Sequence, residues 1–292
     1  MKLINTNTYK KDRERDDANI LYEIDQIFIN KREFVVKMPE INAPVMACMS
    51  GGIDSIVNIL FLLEQGYVVY PFWVDRGQSN RRWEFKAIDW YNKWFYEKYP
   101  LHYIDCARIS LEVPSKSYKD LLRKTKHTEE LGDFITYPAR NPIMFLAGME
   151  YAYALRSKDI DIKTLFVAEH ADDFSVHGTL TLMRITNLMM CYLLQDRDFQ
   201  FISIPIEREL GNFYGKDRLV AYANEKEMPL EYTRSCCDAS ELQCGHCIMC
   251  CWDRRVAFKR SGVIDKTEYL NPMPASKEEC RQDTAENWKG KK

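Results

Sequence analysis

Pro44-Val-Met-Ala-Cys-Met-Ser50-Gly51-Gly52-Ile53-Asp54-Ser55-Ile-Val-Asn-Ile-Leu-Phe-Leu-Leu63 starts as an apolar run and breaks at two glycines. It resumes with the spacing of an amphipathic helix that Gly66 can end. The run from Pro44 to Met49 is short and bounded, as a buried strand is. Glycines at a strand-to-helix turn let backbone N–H groups point into a concavity with no Cβ in the way, and the helix N-terminus behind them adds partial positive charge. Ser50 and Ser55 add hydroxyl donors, so the turn suits phosphate. The Gly-Lys-Ser/Thr ending of the kinase and GTPase loop is missing. Asp54 has two readings, a partner for Mg²⁺ beside phosphate or a plain N-cap of the helix.

Working outward, the same alternation repeats. Tyr67–Asp75, Leu101–Cys106, Thr164–His170 and Phe201–Ile206 read as further strands. Helices are expected over Asn80–Tyr99, Ile143–Arg156, Gly178–Leu194, Lys216–Glu227 and Trp252–Ser261. Strands alternating with helices of this length imply an α/β fold, a Rossmann-like parallel sheet of about five strands. Pro71 inside the second strand predicts a bulge or an edge. Asp75-Arg-Gly-Gln78 falls at a carboxyl strand end, where open parallel sheets hold ligands. The aromatic residues Trp83, Trp90 and Trp94 read as packing rather than a base-stacking platform. Residues 109–136 have weak periodicity and read as an excursion able to cover the site.

The chain divides into an N-terminal extension over 1–42, an α/β domain over 43–230 and a cysteine-rich module with a polar tail over 231–292. In the extension, Ile20–Ile29 and Arg32–Met38 are expected to pair as a β-hairpin across Asn30-Lys31.

With 292 residues the chain can bury a large core, and 46% hydrophobic with 29% charged residues is ordinary for a soluble protein. The 41 basic and 43 acidic side chains leave a formal charge of -2, which argues against a general nucleic-acid backbone binder. No apolar run is long enough to span a membrane and Met1-Lys-Leu-Ile-Asn-Thr lacks a signal-peptide core, so a cytoplasmic protein is expected.

Of ten cysteines, six fall between Cys236 and Cys251. Cys236, Cys244, Cys247 and Cys250 form C-x7-C-x2-C-x2-C, a spacing that can present four thiolates to one tetrahedral Zn²⁺ in a closed, structural site. An iron–sulfur cluster or a redox pair are the alternatives. Cys237 and Cys251 lie next to ligands and could substitute for them. His246 sits within the turn and is expected to point away. The helix carrying Arg254, Arg255, Lys259 and Arg260 is either solvated or lines a phosphate channel.

Ser50-Gly-Gly-Ile-Asp-Ser55 matches SGGxDS, the pyrophosphate loop of enzymes that split ATP into AMP and pyrophosphate, the adenine nucleotide alpha hydrolase type. Together with Asp75-Arg-Gly-Gln78, Arg140-Asn141, Ser235-Cys236, Cys244-Gly-His-Cys247, Arg254 and Ala257-Phe258, it makes residues 44–262 resemble the 7-cyano-7-deazaguanine synthase family. The resemblance implies an ATP- and Mg²⁺-dependent ligase. It would turn 7-carboxy-7-deazaguanine and ammonia into the nitrile, as part of queuosine biosynthesis. It further implies that Met49, Ser50, Gly51, Gly52, Ile53, Asp54, Ser55, Asp75, Arg140 and Asn141 line the ATP site. Lys216, Gln78, Asp173 and Ser175 would serve substrate or adenylate, zinc would brace the C-terminal wall, and a homodimer is a family expectation. The chain departs from the family at Arg76, where a tyrosine is expected, at Ala139, and over Asp173–Thr179. Other SGGxDS enzymes, tRNA thiolases among them, and a relative delivering its acyl group to a different amine are the alternatives.

Overall fold

A computed structural model describes residues 16–111, 140–173 and 178–280. Five strands form one sheet: β1 (Pro44–Cys48), β2 (Val68–Asp75), β3 (Ala107–Ser110), β4 (Thr164–Val167) and β5 (Gln200–Ser203), in the spatial order β3-β2-β1-β4-β5. Every pairing is parallel, with Met46 opposite Tyr70 on one side and Leu165 on the other. The strand order reverses between β1 and β4. In a doubly wound sheet that reversal opens a crevice at the carboxyl ends of the strands.

Helices cover both faces because alternate strand residues are apolar on both. Val45 and Ala47 face a layer made of α2 (Ile53–Glu64), α3 (Arg81–Lys98) and α6 (Lys216–Glu225), while Met46, Phe72 and Leu165 face α4 (Arg140–Leu155) and α5 (Leu180–Leu194). The helix expected to be amphipathic, α2, is apolar nearly all round. Ile56, Val57, Ile59, Leu60, Leu62 and Leu63 are all buried, because α6 covers the side turned away from the sheet. Each such side chain contributes roughly 1.5–3 kcal/mol by burial, so α2 is a fixed post for the turn at its head.

The N-terminal hairpin is not formed. Residues Ala18–Arg32 are helix α1, capped by the Asp17 carboxylate, which accepts from the Asn19 and Ile20 amides at 2.9 Å. Leu21, Ile24 and Phe28 recur at helical spacing and bury one stripe, a period no hairpin could satisfy. The extension from Ala18 onward is thereby part of the α/β body.

Pro71 is not on an edge strand, since β2 lies between β1 and β3, but beside it the register slips by one residue, from Val69 opposite Tyr103 to Phe72 opposite Ala107, as at a bulge. Val69 uses both its amide and its carbonyl toward His102 and Ile104, so Pro71, two residues on, faces the same side. There the pairing is interrupted between the bridge at Tyr103 and the start of β3 at Ala107, and no ladder bond is lost. The third strand accordingly begins at Ala107, with Leu101–Cys106 forming only that bridge. Beyond Leu111 the expected excursion lies outside the described residues, as does Ser175. Among the described residues no helix is long and apolar enough to cross a membrane.

Candidate functional site

The turn between β1 and α2 sits at the crevice. Gly51 takes φ +79°, and a Cβ there would come within 3.0 Å of the Glu84 carbonyl oxygen, so both conformation and space demand glycine. Ser50 and Ser55 hold the turn closed: the Ser50 amide donates to Ser55 Oγ at 3.0 Å, and Ser55 Oγ donates to the Gly52 carbonyl at 3.1 Å. Gly52 is the N-cap of α2 and has no side chain to offer, leaving the first-turn amides to whatever the turn receives. A phosphate fits such a cradle. Met49 and Ile53 are completely buried, and their side chains belong to the core.

Three elements converge beside the turn. From α2, Asp54 Oδ2 lies 3.2 Å from Lys216 Nζ at the head of α6, and Asp54 Oδ1 lies 3.7 Å from His170 Nε2 beyond the end of β4. Asp173 Oδ1 is 3.5 Å from the same nitrogen. His170 Nδ1 accepts from the Asp172 amide at 3.2 Å, which turns Nε2 toward Asp54 and Asp173. Neither Asp54 Oδ1 nor His170 Nε2 has a hydrogen-bond partner, though both atoms are buried. Burial works against the Lys216 charge, but Asp54 and Asp173 outweigh it and hold the ammonium above its ordinary range. Burial likewise opposes the Asp173 carboxylate, yet His170 and Lys216 hold it below its usual value. Glu169 goes the other way: burial first, then Asp173, push it well above the carboxylate range. Its Oε1 accepts from Asn141 Nδ2 at 2.7 Å, and Asn141 Oδ1 accepts from Arg140 Nε at 3.0 Å. Oxygen ligands with an orphaned carboxylate oxygen among them are a donor set that suits Mg²⁺.

Asp75 and Gln78 are occupied elsewhere. Asp75 Oδ1 accepts from the Gly77 amide at 2.8 Å, while Gln78 accepts from the Arg76 amide at 2.8 Å and donates to Glu84 at 2.6 Å. They shape the loop after β2. Arg76 and Arg140 both act on Cys48 at the end of β1, whose thiol burial pushes up to about 12 with Glu169 adding to the push.

The cysteine centre differs from its expected membership. Cys236, Cys244, Cys247 and Cys251 bring their sulfurs within 4.8 Å of one another, and Cys250 is not among them. The reason is local. Ile248–Trp252 is a π-helical turn, with Cys247 at its head accepting from the Cys251 amide at 3.3 Å. The wider turn carries one more residue, so Cys251 rather than Cys250 lies over Cys247. Sulfur separations of 4.0 Å (Cys236–Cys247) and 3.8 Å (Cys244–Cys251) match the roughly 3.8 Å edge of a tetrahedron with 2.3 Å zinc–sulfur bonds. Backbone amides donate to three of these sulfurs: Asp238 and Cys244 to Cys236, Gly245 to Cys251, and Cys251 to Cys247. Such donors offset thiolate charge around a metal. At Gly245, φ +87°, a Cβ would stand 2.3 Å from the Asn271 carbonyl oxygen. His246 turns to the Cys244 carbonyl at 3.0 Å, away from the sulfurs.

Two arginines bind this module to the rest. The Arg234 amide donates to the Gly51 carbonyl at 2.7 Å, and its guanidinium gathers the carbonyls of Cys236, Asp238, Ser240 and Glu241. Arg254, expected to be solvated or to line a phosphate channel, does neither. It is completely buried and donates to Thr233, Leu230, Thr267 and Tyr269. Sequence reasoning passed over His170, Glu169 and Arg234 as site residues; for the first two, position at a carboxyl strand end was the available signal.

Comparison with known proteins follows this geometry. The family model described as "Queuosine biosynthesis protein QueC" matches residues 44–262. The 7-cyano-7-deazaguanine synthase of Acetivibrio thermocellus is 28% identical over 231 residues, covering 76% of this chain and 96% of that one. The synthase of Thermoplasma acidophilum is 25% identical over 233 residues, covering 76% and 90%. Among solved structures, the U34-tRNA thiolase NcsA from Methanococcus maripaludis with its [4Fe-4S] cluster is similar at a TM-score of 0.40 and 16% identity, over 84% of this chain and 73% of that one.

Proposed function

The chain belongs to the QueC family of queuosine biosynthesis proteins, and from that premise we propose that it makes 7-cyano-7-deazaguanine from 7-carboxy-7-deazaguanine, ammonia and ATP. The carboxylate attacks the α-phosphorus of ATP, pyrophosphate leaves, and ammonia displaces AMP to give the amide. A second ATP activates the amide oxygen in the same way, and departure of AMP leaves the nitrile. Most of this chemistry is positioning and charge neutralisation.

The observation that carries the reading is the cradle of Gly51 and Gly52 at the strand-order reversal, with the Asp54–Lys216 pair beside it. In this reading the first-turn amides of α2 with Ser50 and Ser55 receive the pyrophosphate. Lys216 neutralises charge that builds on the leaving oxygens. Asp54 and Asp173 would hold Mg²⁺, which supplies further neutralisation of the phosphates. Arg140 and Asn141 orient the nucleotide or the base, and Glu169 fixes the Asn141 amide by accepting from its Nδ2. Zinc, held by Cys236, Cys244, Cys247 and Cys251, fixes the module whose Arg234 amide grips the phosphate turn. Its single-ion sulfur spacing is what favours zinc over a multi-iron cluster, which holds its thiolates farther apart.

The test is mass spectrometry of a reaction containing the full chain, ATP, Mg²⁺, 7-carboxy-7-deazaguanine and ammonia. The nitrile with AMP and pyrophosphate is expected. AMP with only adenylate or amide would overturn the nitrile reading and point to another amine acceptor; no AMP at all would overturn the adenylation reading.

A further inference from the structure

The π-helical turn that brings Cys251 into the four-thiolate group turns Cys250 out of it. Cys250 meets Cys237, the neighbour of Cys236, with the two sulfurs 3.2 Å apart. Cys237 is exposed and Cys250 half-buried, and the two are not bonded. Two chain segments that each supply a ligand therefore each supply a second thiol as well, and the second thiols meet at the surface. A disulfide has a sulfur–sulfur length of about 2.05 Å, so closure asks for movement of about 1 Å. An accessible cysteine with a resolving partner already in contact is the arrangement that oxidises reversibly.

We propose that Cys237 and Cys250 are a dithiol–disulfide pair, a modification site that closes beside the metal centre without drawing on its ligands. The oxidant is a low-molecular-weight disulfide. One cysteine sulfur attacks it, forming a mixed disulfide and releasing one small thiol. The second cysteine sulfur attacks that bond, the Cys237–Cys250 bond forms, and the second small thiol leaves. Both protons and both electrons given up by the pair end on the two small thiols. A reducing compartment keeps the pair open, and its closure is a response to oxidising conditions. The same strand of chain anchors the loop after β2: Ser79 Oγ donates to the Cys237 carbonyl at 3.3 Å and Asn80 Nδ2 to the Cys236 carbonyl at 3.2 Å. Closure thus reaches a wall of the crevice.

The inference is independent of the reaction proposed above. Its test takes the full-length, metal-loaded protein through a titration with oxidised glutathione. Alkylation with iodoacetamide, intact mass, peptide mapping and metal analysis then follow. The expected result is a peptide linked through Cys237 and Cys250, a mass lower by two hydrogens, unchanged metal content, and reversal by a small dithiol. Cys237→Ser and Cys250→Ser each abolish the link and keep the metal. A link through Cys236, Cys244, Cys247 or Cys251, metal release as the bond forms, loss of metal from Cys250→Ser, or no link in excess oxidant would each overturn it.

Discussion

Arg184 and Lys216 are both buried cations set among carboxylates, and their surroundings are built differently. Arg184 is completely buried between α1 and the turn after β5, and all three guanidinium nitrogens donate: to Asp25 at 3.0 Å and to the two oxygens of Glu207 at 3.1 and 2.6 Å. Arg208 closes the other side of Asp25. Lys216 reaches Asp54 at 3.2 Å, while His170 stands 3.7 and 3.5 Å from Asp54 and Asp173 with its Nε2 unpartnered. The first cluster is closed with paired charges in fixed geometry. The second pairs Lys216 with Asp54 but leaves Asp54 Oδ1 and His170 Nε2 without partners. A cluster that only holds helices together benefits from full pairing; one that must accept a charged guest benefits from incomplete pairing.

The comparison breaks most easily at Arg184. Arg184→Met strands Asp25 and Glu207 in the core, and urea denaturation should show a loss of about 3–5 kcal/mol, with turnover per folded molecule preserved. Lys216→Met should reverse the pattern. We expect kcat to fall roughly 10²–10³-fold, with unfolding free energy changed by less than about 1 kcal/mol. If Lys216→Met destabilises as much as Arg184→Met, the two clusters do the same work and the contrast fails.

The smallest effect sharpens the contrast through pH. Asp173 is held below its usual value in the folded chain, so its contribution is present above the unfolded value of about 3.9 and is lost as pH falls through the folded one. Asp25 has the opposite sign. Burial raises it in spite of Arg184 and Arg208, so its contribution is present at low pH and fades as pH rises through its folded value. Thermal melts of Asp173→Asn against the unmodified chain should therefore differ slightly at neutral pH and converge as the pH falls below the unfolded value. Divergence on acidification would contradict the placement of Asp173 beside His170 and Lys216.

How much of this was legible before the structure follows from how each feature is encoded. The glycine turn is written in six consecutive residues, Ser50 to Ser55, so its conformation could be read locally. The parallel α/β class followed from alternating periods. Helix α1 was hidden because Asn30-Lys31 resembles a turn, whereas the buried stripe of Leu21, Ile24 and Phe28 shows its period only once α5 and the sheet cover it. Cys251 was legible only as a possible substitute for a ligand, since a π turn adds a residue that the two-residue spacing cannot show. His170 meets Asp54 because β4 lies beside β1, a neighbourhood set by strand order and not by distance along the chain.

That strand order also sets a schedule. Met46 pairs with Tyr70 early in the chain, but its other neighbour is Leu165, so β1 stays an open edge until β4 has been synthesised. Lys216 follows later, and the cysteines that steady Gly51 through Arg234 come last of all. Distant pairings of this kind form slowly, and an emerging chain exposes the apolar strand edge meanwhile. A ribosome that stops before the cysteine module thus releases a sheet with an unbraced turn.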